Sequence, residues 1–200
     1  MELNLGGLHI WQDPYAQPVS HASQALQLSA LELCGSQPLR VLDLGSGCGI
    51  VAIMLALQRS EWRMEGLEIQ PALHSLAQRN ATLCGVEILF REGDLRTFTA
   101  DPPYSLIVSN PPWLDPGRGR TSPSEARNIS RFELHCGLDD VMACLLRNLE
   151  PQGDALILYP QDRAEAIKLA ATKSLLDIIS LSPATGLNEH IICHIRHKGQ

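Results

Sequence analysis

Apolar positions along this chain switch repeatedly between helical spacing and short continuous runs. Over 20–33 they fall at Ala22, Ala25, Leu26, Leu28, Ala30, Leu31 and Leu33, with Gly35 suited to close the turn, and this predicts a helix. A short run at 39–44 predicts a first strand, and 50–58 a helix rising out of a glycine loop. The run 63–69 predicts a second strand, and Pro71 suits the first turn of a helix that stops near Gly85. Further strands are expected at 86–91, 104–109 and 155–159, and further helices at 138–149 and 161–171. Pro151-Gln152-Gly153 reads as a turn between the helix at 138–149 and the next strand. Runs at 176–182 and 190–196, joined by the turn-rich 183–188, predict a closing hairpin. Strand and helix alternating in this way predict an α/β fold with a doubly wound, mainly parallel sheet and helices on both faces. Ligands in such folds sit beyond the carboxyl ends of the strands.

Three features fall at those ends. The run 104–109 leads directly into Asn110-Pro111-Pro112-Trp113. The two prolines remove backbone donors and fix φ at successive positions, and Asn110 is pushed out of the helical region. The result is a rigid lip of carbonyl oxygens, one amide and one large aromatic face, an inventory that suits a planar substrate with an exocyclic amino group. The Asn110 side-chain oxygen and the Pro111 carbonyl are candidates to accept its two N–H bonds, and Trp113 to stack on its ring. Secondly, 41–49 reads as strand, glycine loop and helix start, with Gly45, Gly47 and Gly49 allowing a ligand close to the backbone. The spacing differs from the G-x-G-x-x-G of dinucleotide sites, and Asp43 just before the loop suits a cationic group such as an amine or sulfonium. Thirdly, Glu68 ends the second strand about the distance on at which an acidic residue holds a ribose diol. Asp94, after the third strand, is placed to reach an adenine edge.

Net charge changes the picture only locally. The chain carries −6 overall, so any contact with a polyanion must come from a local basic patch. The loop after the motif supplies one: Arg118, Arg120, Arg127 and Arg131, with Arg196 and Lys198 near the C-terminus. No run approaches the ~20 apolar residues of a membrane span, and 1–10 lacks the pattern of a signal peptide. The six cysteines form no C-x-x-C pair, so reduced cytoplasmic thiols are expected rather than disulfides or zinc. His190, His194 and His197 lie in a strand, where residues four apart are separated by roughly 13 Å, so no metal role is expected for them.

The segment 43–49, with Glu68, Asp94 and Asn-Pro-Pro-Trp, resembles the class I S-adenosylmethionine-dependent methyltransferases, and within them the amino-methylating branch. It is most similar to the small bacterial tRNA adenine-N6 methyltransferases, which modify an anticodon-loop adenine of a valine tRNA. The resemblance spans about 39–196. It implies a Rossmann-like seven-stranded sheet in a single domain, 1–200, whose N-terminal helical extension, 1–38, covers the cofactor site. It implies S-adenosyl-L-methionine as cofactor, held by Asp43, Gly45, Ser46, Gly47, Gly49, Glu68, Ile69, Asp94, Leu95 and Asn110. It further implies catalysis by Asn110, Pro111, Pro112 and Trp113, an RNA partner contacted by Trp113 and the four loop arginines, and no metal. Trp113 replaces the family's usual Tyr or Phe, and Ser23-Gln24 its usual Thr/Ser-Asp. Similar motifs occur in protein glutamine methyltransferases acting on release factors, which usually carry a helical N-terminal domain. They also occur in longer guanine-N2 rRNA methyltransferases. A cofactor-binding scaffold without activity is the non-enzymatic alternative.

Overall fold

The computed structural model describes residues 8–13, 21–111 and 136–199. Elements are numbered along these: α1 His21–Cys34, β1 Arg40–Leu44, α2 Ile50–Gln58, β2 Arg63–Glu68, α3 Pro71–Cys84, β3 Leu89–Glu92, β4 Tyr104–Ser109, α4 Leu138–Asn148, β5 Leu149–Pro160, α5 Ala164–Lys173, β6 Leu176–Pro183 and β7 His190–His197. Seven strands form one sheet in the order β3-β2-β1-β4-β5-β7-β6. Strands β1 to β5 run parallel, and β7 inserts antiparallel between β5 and β6.

Alternation along each strand divides the core in two. Val41, Met64, Leu106, Val108, Leu156 and Ile192 pack against α1, α2 and α3. Leu42, Leu44, Leu67, Ile107, Ile157 and Cys193 pack against α4 and α5. Because successive side chains point to opposite faces, strands buried on both sides must be apolar throughout, which is why they read as continuous runs. The expected doubly wound sheet and closing hairpin are therefore present.

Three boundaries differ from expectation, the first at the helix expected over 161–171, where Gln161–Arg163 form a 3-10 turn and the α-helix runs Ala164–Lys173. The strand expected from 86 begins at Leu89. Gly85 takes a left-handed conformation at φ 67°, and Val86 N–H donates to the Ala81 carbonyl, so 85–86 belong to the end of α3. The turn expected at Pro151–Gly153 lies inside β5. Leu149 pairs with Tyr104 and Asp154 with Leu106, so the extra residues form an irregularity within one strand. A Cβ on Gly153 would come within 3.0 Å of the Tyr104 carbonyl, so the glycine is what lets the two strands close up there.

A buried charge network fixes the lower part of the parallel sheet. Glu65 of β2 accepts from Arg40 of β1 (2.7 Å), Arg91 of β3 (2.9 Å) and the Tyr104 hydroxyl of β4 (3.0 Å). Arg40 also lies 4.2 Å over the Tyr104 ring and donates to the Pro102 carbonyl. Burial pushes the Glu65 carboxyl up, but the bonds from Arg91, Arg40 and Tyr104 outweigh it, and the net shift is downward. Glu65→Leu removes the acceptor shared by Arg40, Arg91 and the Tyr104 hydroxyl and is expected to cost about 3 kcal/mol, read as a lower urea midpoint at pH 7. The wild-type contribution is complete above ~pH 4.5, the ordinary range of an unfolded carboxylate, and fades as pH falls further. The two proteins should therefore converge in stability in acid.

Candidate active site

The glycine loop turns out of β1 with φ of +76° at Gly45, +55° at Gly47 and +83° at Gly49. It is pinned to β2. Gly45 and Ser46 N–H both donate to the Leu67 carbonyl, at 2.9 and 3.0 Å, and Gly47 N–H donates to Glu68 Oε2 at 2.8 Å. The glycines serve two ends. A Cβ on Gly49 would lie 2.8 Å from the Phe90 ring and 3.1 Å from Ala77, so this glycine allows α3 to pack on the loop. A Cβ on Gly45 or Gly47 would meet nothing within 4 Å, so these two leave a bare backbone facing open space.

Two carboxylates border that space. Asp43 is 2% exposed, and its Oδ2 accepts from Ala52 N–H in the first turn of α2. Burial, helped by the neighbouring Glu68 charge, pushes the Asp43 carboxyl up to about 7 despite the Ala52 bond. Glu68 is also buried and raised, mainly by desolvation, although Gln70, Gly47 and Ile69 N–H groups oppose the shift. Gly47 N–H donates to Glu68 Oε2 and Gln70 N–H to Oε1. Two buried carboxyl groups with their charge disfavoured, next to the bare glycine backbone, are suited to a ligand bringing positive charge and hydroxyl donors.

Asn110 follows β4, which pairs with β1 through Asp43↔Val108 and Leu44↔Ser109. It is half-buried, and Pro111 is buried. Ser109 hydroxyl donates to the Leu44 carbonyl at 2.7 Å and locks the two strand ends together. Asn110 therefore stands one strand over and two residues beyond Asp43, about 8 Å away from strand rise and spacing.

The structure brings Asp43, Gly45, Gly47, Gly49, Glu68 and Asn110 to one edge of the sheet. Ile69 is 38% exposed beside Glu68. Ser46 contributes backbone only: its buried hydroxyl packs against Gly66 and makes no hydrogen bond. Asp94, expected to reach an adenine edge, is held by Arg96, whose Nε lies 2.9 and 3.1 Å from its two oxygens. Leu95 packs on the α4–α5 core. Pro112, Trp113, Arg118, Arg120, Arg127 and Arg131 lie outside the described residues. The three histidines do not converge: His194 bonds Asp154, whereas His197 donates to the Leu149 carbonyl at 3.0 Å.

Sequence reasoning passed over Asn80. It is completely buried in α3 and donates to the Cys48 carbonyl in the glycine loop at 2.9 Å. A signal was present, an asparagine within the apolar stripe Leu73, Ala77, Ala81, Cys84. The Asp154–His194–Arg196 cluster between β5 and β7 was passed over too.

Residues 17–125 match the methyltransferase small domain family. This chain belongs to that family. It is 31% identical over 153 residues to the tRNA1(Val) (adenine(37)-N6)-methyltransferase of Porphyromonas gingivalis, covering 72% of this chain and 59% of the relative. It is 33% identical over 139 residues to the release factor glutamine methyltransferase of Deinococcus radiodurans, covering 69% and 50%. The chain thus spans between half and three fifths of these relatives' lengths. The crystal structure of ribosomal protein L11 methylase from Lactobacillus delbrueckii subsp. bulgaricus superposes with a TM-score of 0.68 at 22% identity, covering 93% of this chain and 83% of that one. The methyltransferase family and the Rossmann-like fold expected from the sequence are thus shown, and the cofactor expected with them is S-adenosylmethionine. The bare Gly45–Gly47 backbone and the two buried acids fit this cofactor, which supplies an electrophilic methyl on a sulfonium and a ribose diol.

Two outcomes follow for cofactor binding. Gly45→Ala should cost only about 1 kcal/mol of stability from its positive φ, yet weaken S-adenosylmethionine at least tenfold in calorimetry, because its methyl enters the cradle. Gly49→Ala should lower the melting temperature more, through Phe90. Asp43, raised from 3.8 to about 7 in the fold, holds a proton that the unfolded chain has lost between those values. Its contribution to stability therefore declines as pH rises from about 4 to 7. Asp43→Asn should raise the melting temperature of the ligand-free protein at pH 7.5. Cofactor binding to the wild type at pH 6 should release a proton, seen as a binding heat that changes with the ionisation enthalpy of the buffer.

Proposed function

We propose that this methyltransferase transfers a methyl group to the exocyclic N6 amino group of an adenine in structured RNA, most naturally a tRNA. The observation that carries the reading is the placement of Asn110. Its amide follows the strand paired to the one that launches the glycine loop, beside the buried Asp43. An exocyclic aromatic amine is a poor nucleophile, since its lone pair is delocalised into the ring. The Asn110 side-chain oxygen and the Pro111 carbonyl accept its two N–H groups, favour a pyramidal nitrogen and stabilise the charge that develops there. Pro112 fixes the lip, and Trp113 stacks on the base and holds it in line for transfer. The new N–C bond forms as the C–S bond breaks, and the nitrogen then loses a proton to water.

A base must leave its stack to enter such a pocket, which costs least in an RNA loop. Arg118, Arg120, Arg127 and Arg131 would hold phosphates around it. Asp43, Gly45, Gly47, Gly49, Glu68 and Ile69 hold the cofactor in this reading, with Ser46 and Leu95 lending backbone and Asp94 an adenine contact shared with Arg96. The N-terminal residues 1–38 cover the cofactor end, a placement supported by the tie from Asn80 to both Trp11 and Cys48. The similarity to adenine-N6 methyltransferases of tRNA supports the target. Similarity to release factor glutamine methyltransferases supports a second reading, because a glutamine amide presents the same planar N–H pair.

Labelled S-adenosylmethionine incubated with total tRNA or with total protein separates the two. Label recovered as N6-methyladenosine in tRNA is the expected result, and label only in glutamine overturns it. Asn110→Ala should reduce turnover at least a thousandfold while cofactor affinity changes less than threefold.

A further inference from the structure

Residues 8–13 run along the outer side of α3, and Trp11 stands 62% exposed there. Single exposed apolar residues are ordinary on protein surfaces. Trp11 differs because its backbone is clamped from inside. Its N–H donates to Asn80 Oδ1 at 2.9 Å, and its carbonyl accepts from Asn80 Nδ2 at 2.9 Å. The same Nδ2 donates to the Cys48 carbonyl, so the indole is fixed relative to the glycine loop. A cleft of about 350 Å³ opens beside it, lined by Trp11, Gln12, Asp13, Ser75, Leu76 and Arg79, with Ala72 at its edge.

We propose that this cleft is a second RNA subsite, in which an unpaired nucleobase of the methyl-accepting RNA stacks on Trp11. The subsite rests on the RNA reading given above. Its chemistry is that of a nucleobase: an aromatic face to stack on, a carboxamide and a carboxylate at Gln12 and Asp13 for polar base edges, and an apolar floor at Leu76. Arg79 is a cation with no hydrogen bond or ion pair among the described residues, available to a backbone phosphate. Helix α3 packs over β2 and β3, and β2 is two strands from β4 in the sheet order, so the subsite flanks the Asn110 lip rather than coinciding with it. An RNA loop held at the lip would pass a neighbouring nucleotide across this side of the molecule. The Asn80 clamp gives the arrangement its purpose: an aromatic platform costs least to bind against when its backbone is already ordered.

The test is steady-state methylation of total unmodified tRNA by the full chain, with cofactor affinity measured separately by calorimetry. Trp11→Ala should raise KM for tRNA about tenfold at saturating S-adenosylmethionine, a loss larger than any change it makes in cofactor affinity. Trp11→Phe, which keeps a stacking face, should restore most of the loss, whereas Trp11→Leu should not. Arg79→Gln should raise KM two- to fivefold and flatten its salt dependence. An unchanged KM in Trp11→Ala overturns the subsite, as does rescue by Leu equal to that by Phe, since either shows that no base stacks there. If the wild type methylates only protein, the RNA reading fails and this inference with it. Methylation of tRNA by the wild type, with an indifferent Trp11→Ala variant, overturns the subsite alone.

Discussion

The site depends on a loop that must hold its shape with almost no side chains of its own. Glycines at 45, 47 and 49 are conformationally free in the unfolded chain, and each costs up to about 1 kcal/mol more than alanine to order. What offsets this is β2. The Leu67 carbonyl takes two N–H groups of the loop and the buried Glu68 carboxylate a third. Bonds to a charged acceptor are the strong ones, about 1.5–3 kcal/mol, so Glu68 shapes the cradle before it touches any ligand. Asn80 holds the far side of the loop through Cys48. Glu68→Ala would therefore disturb two things together, loop and ligand.

Acidic groups in the sheet divide by the direction in which their surroundings push them. Glu65 and Asp154 face arginines, and both carboxyls are lowered in spite of burial, Asp154 by His194 and Arg196. These pairs are complete within the chain and join neighbouring strands. Asp43 and Glu68 are raised, because desolvation outweighs their backbone N–H groups and, at Glu68, the nearby His74. A buried acid whose charge is left uncompensated is a cost to the fold unless something else brings the compensation, which in the proposed reading is a sulfonium cofactor. The opposite shifts separate the acids that hold the sheet from those proposed to receive a ligand.

Much of the fold was legible because a doubly wound sheet buries its strands on both faces. Such strands read as short apolar runs, and helices covering one side read as stripes. The hairpin of β6 and β7 was legible from its turn at 183–188. The errors came where tertiary contacts overrule local signals. Pro151-Gly153 has turn composition, yet lies within β5 because Tyr104 and Leu149 close around it. Val86 has strand composition, yet its N–H completes the end of α3. In the site, Glu68 and Asp43 were legible from position at strand ends. The tie of Asp94 to Arg96 was not, since it involves a residue two positions on whose side chain could have turned anywhere.

Spacing and composition alone determined the order of elements and the glycine loop with its leading acid, because each is a local backbone constraint written in consecutive residues. Which residues meet across the fold was decided only by packing. Ser46 turns its hydroxyl inward because Gly66 leaves room for it, Asn80 reaches both Trp11 and Cys48 because α3 crosses the loop at Ala77, and Glu65 gathers three strands because their register places Arg40, Arg91 and Tyr104 around it. Such contacts join residues 20 to 70 positions apart, and nothing local selects among their possible partners. The shared burial of the sheet does.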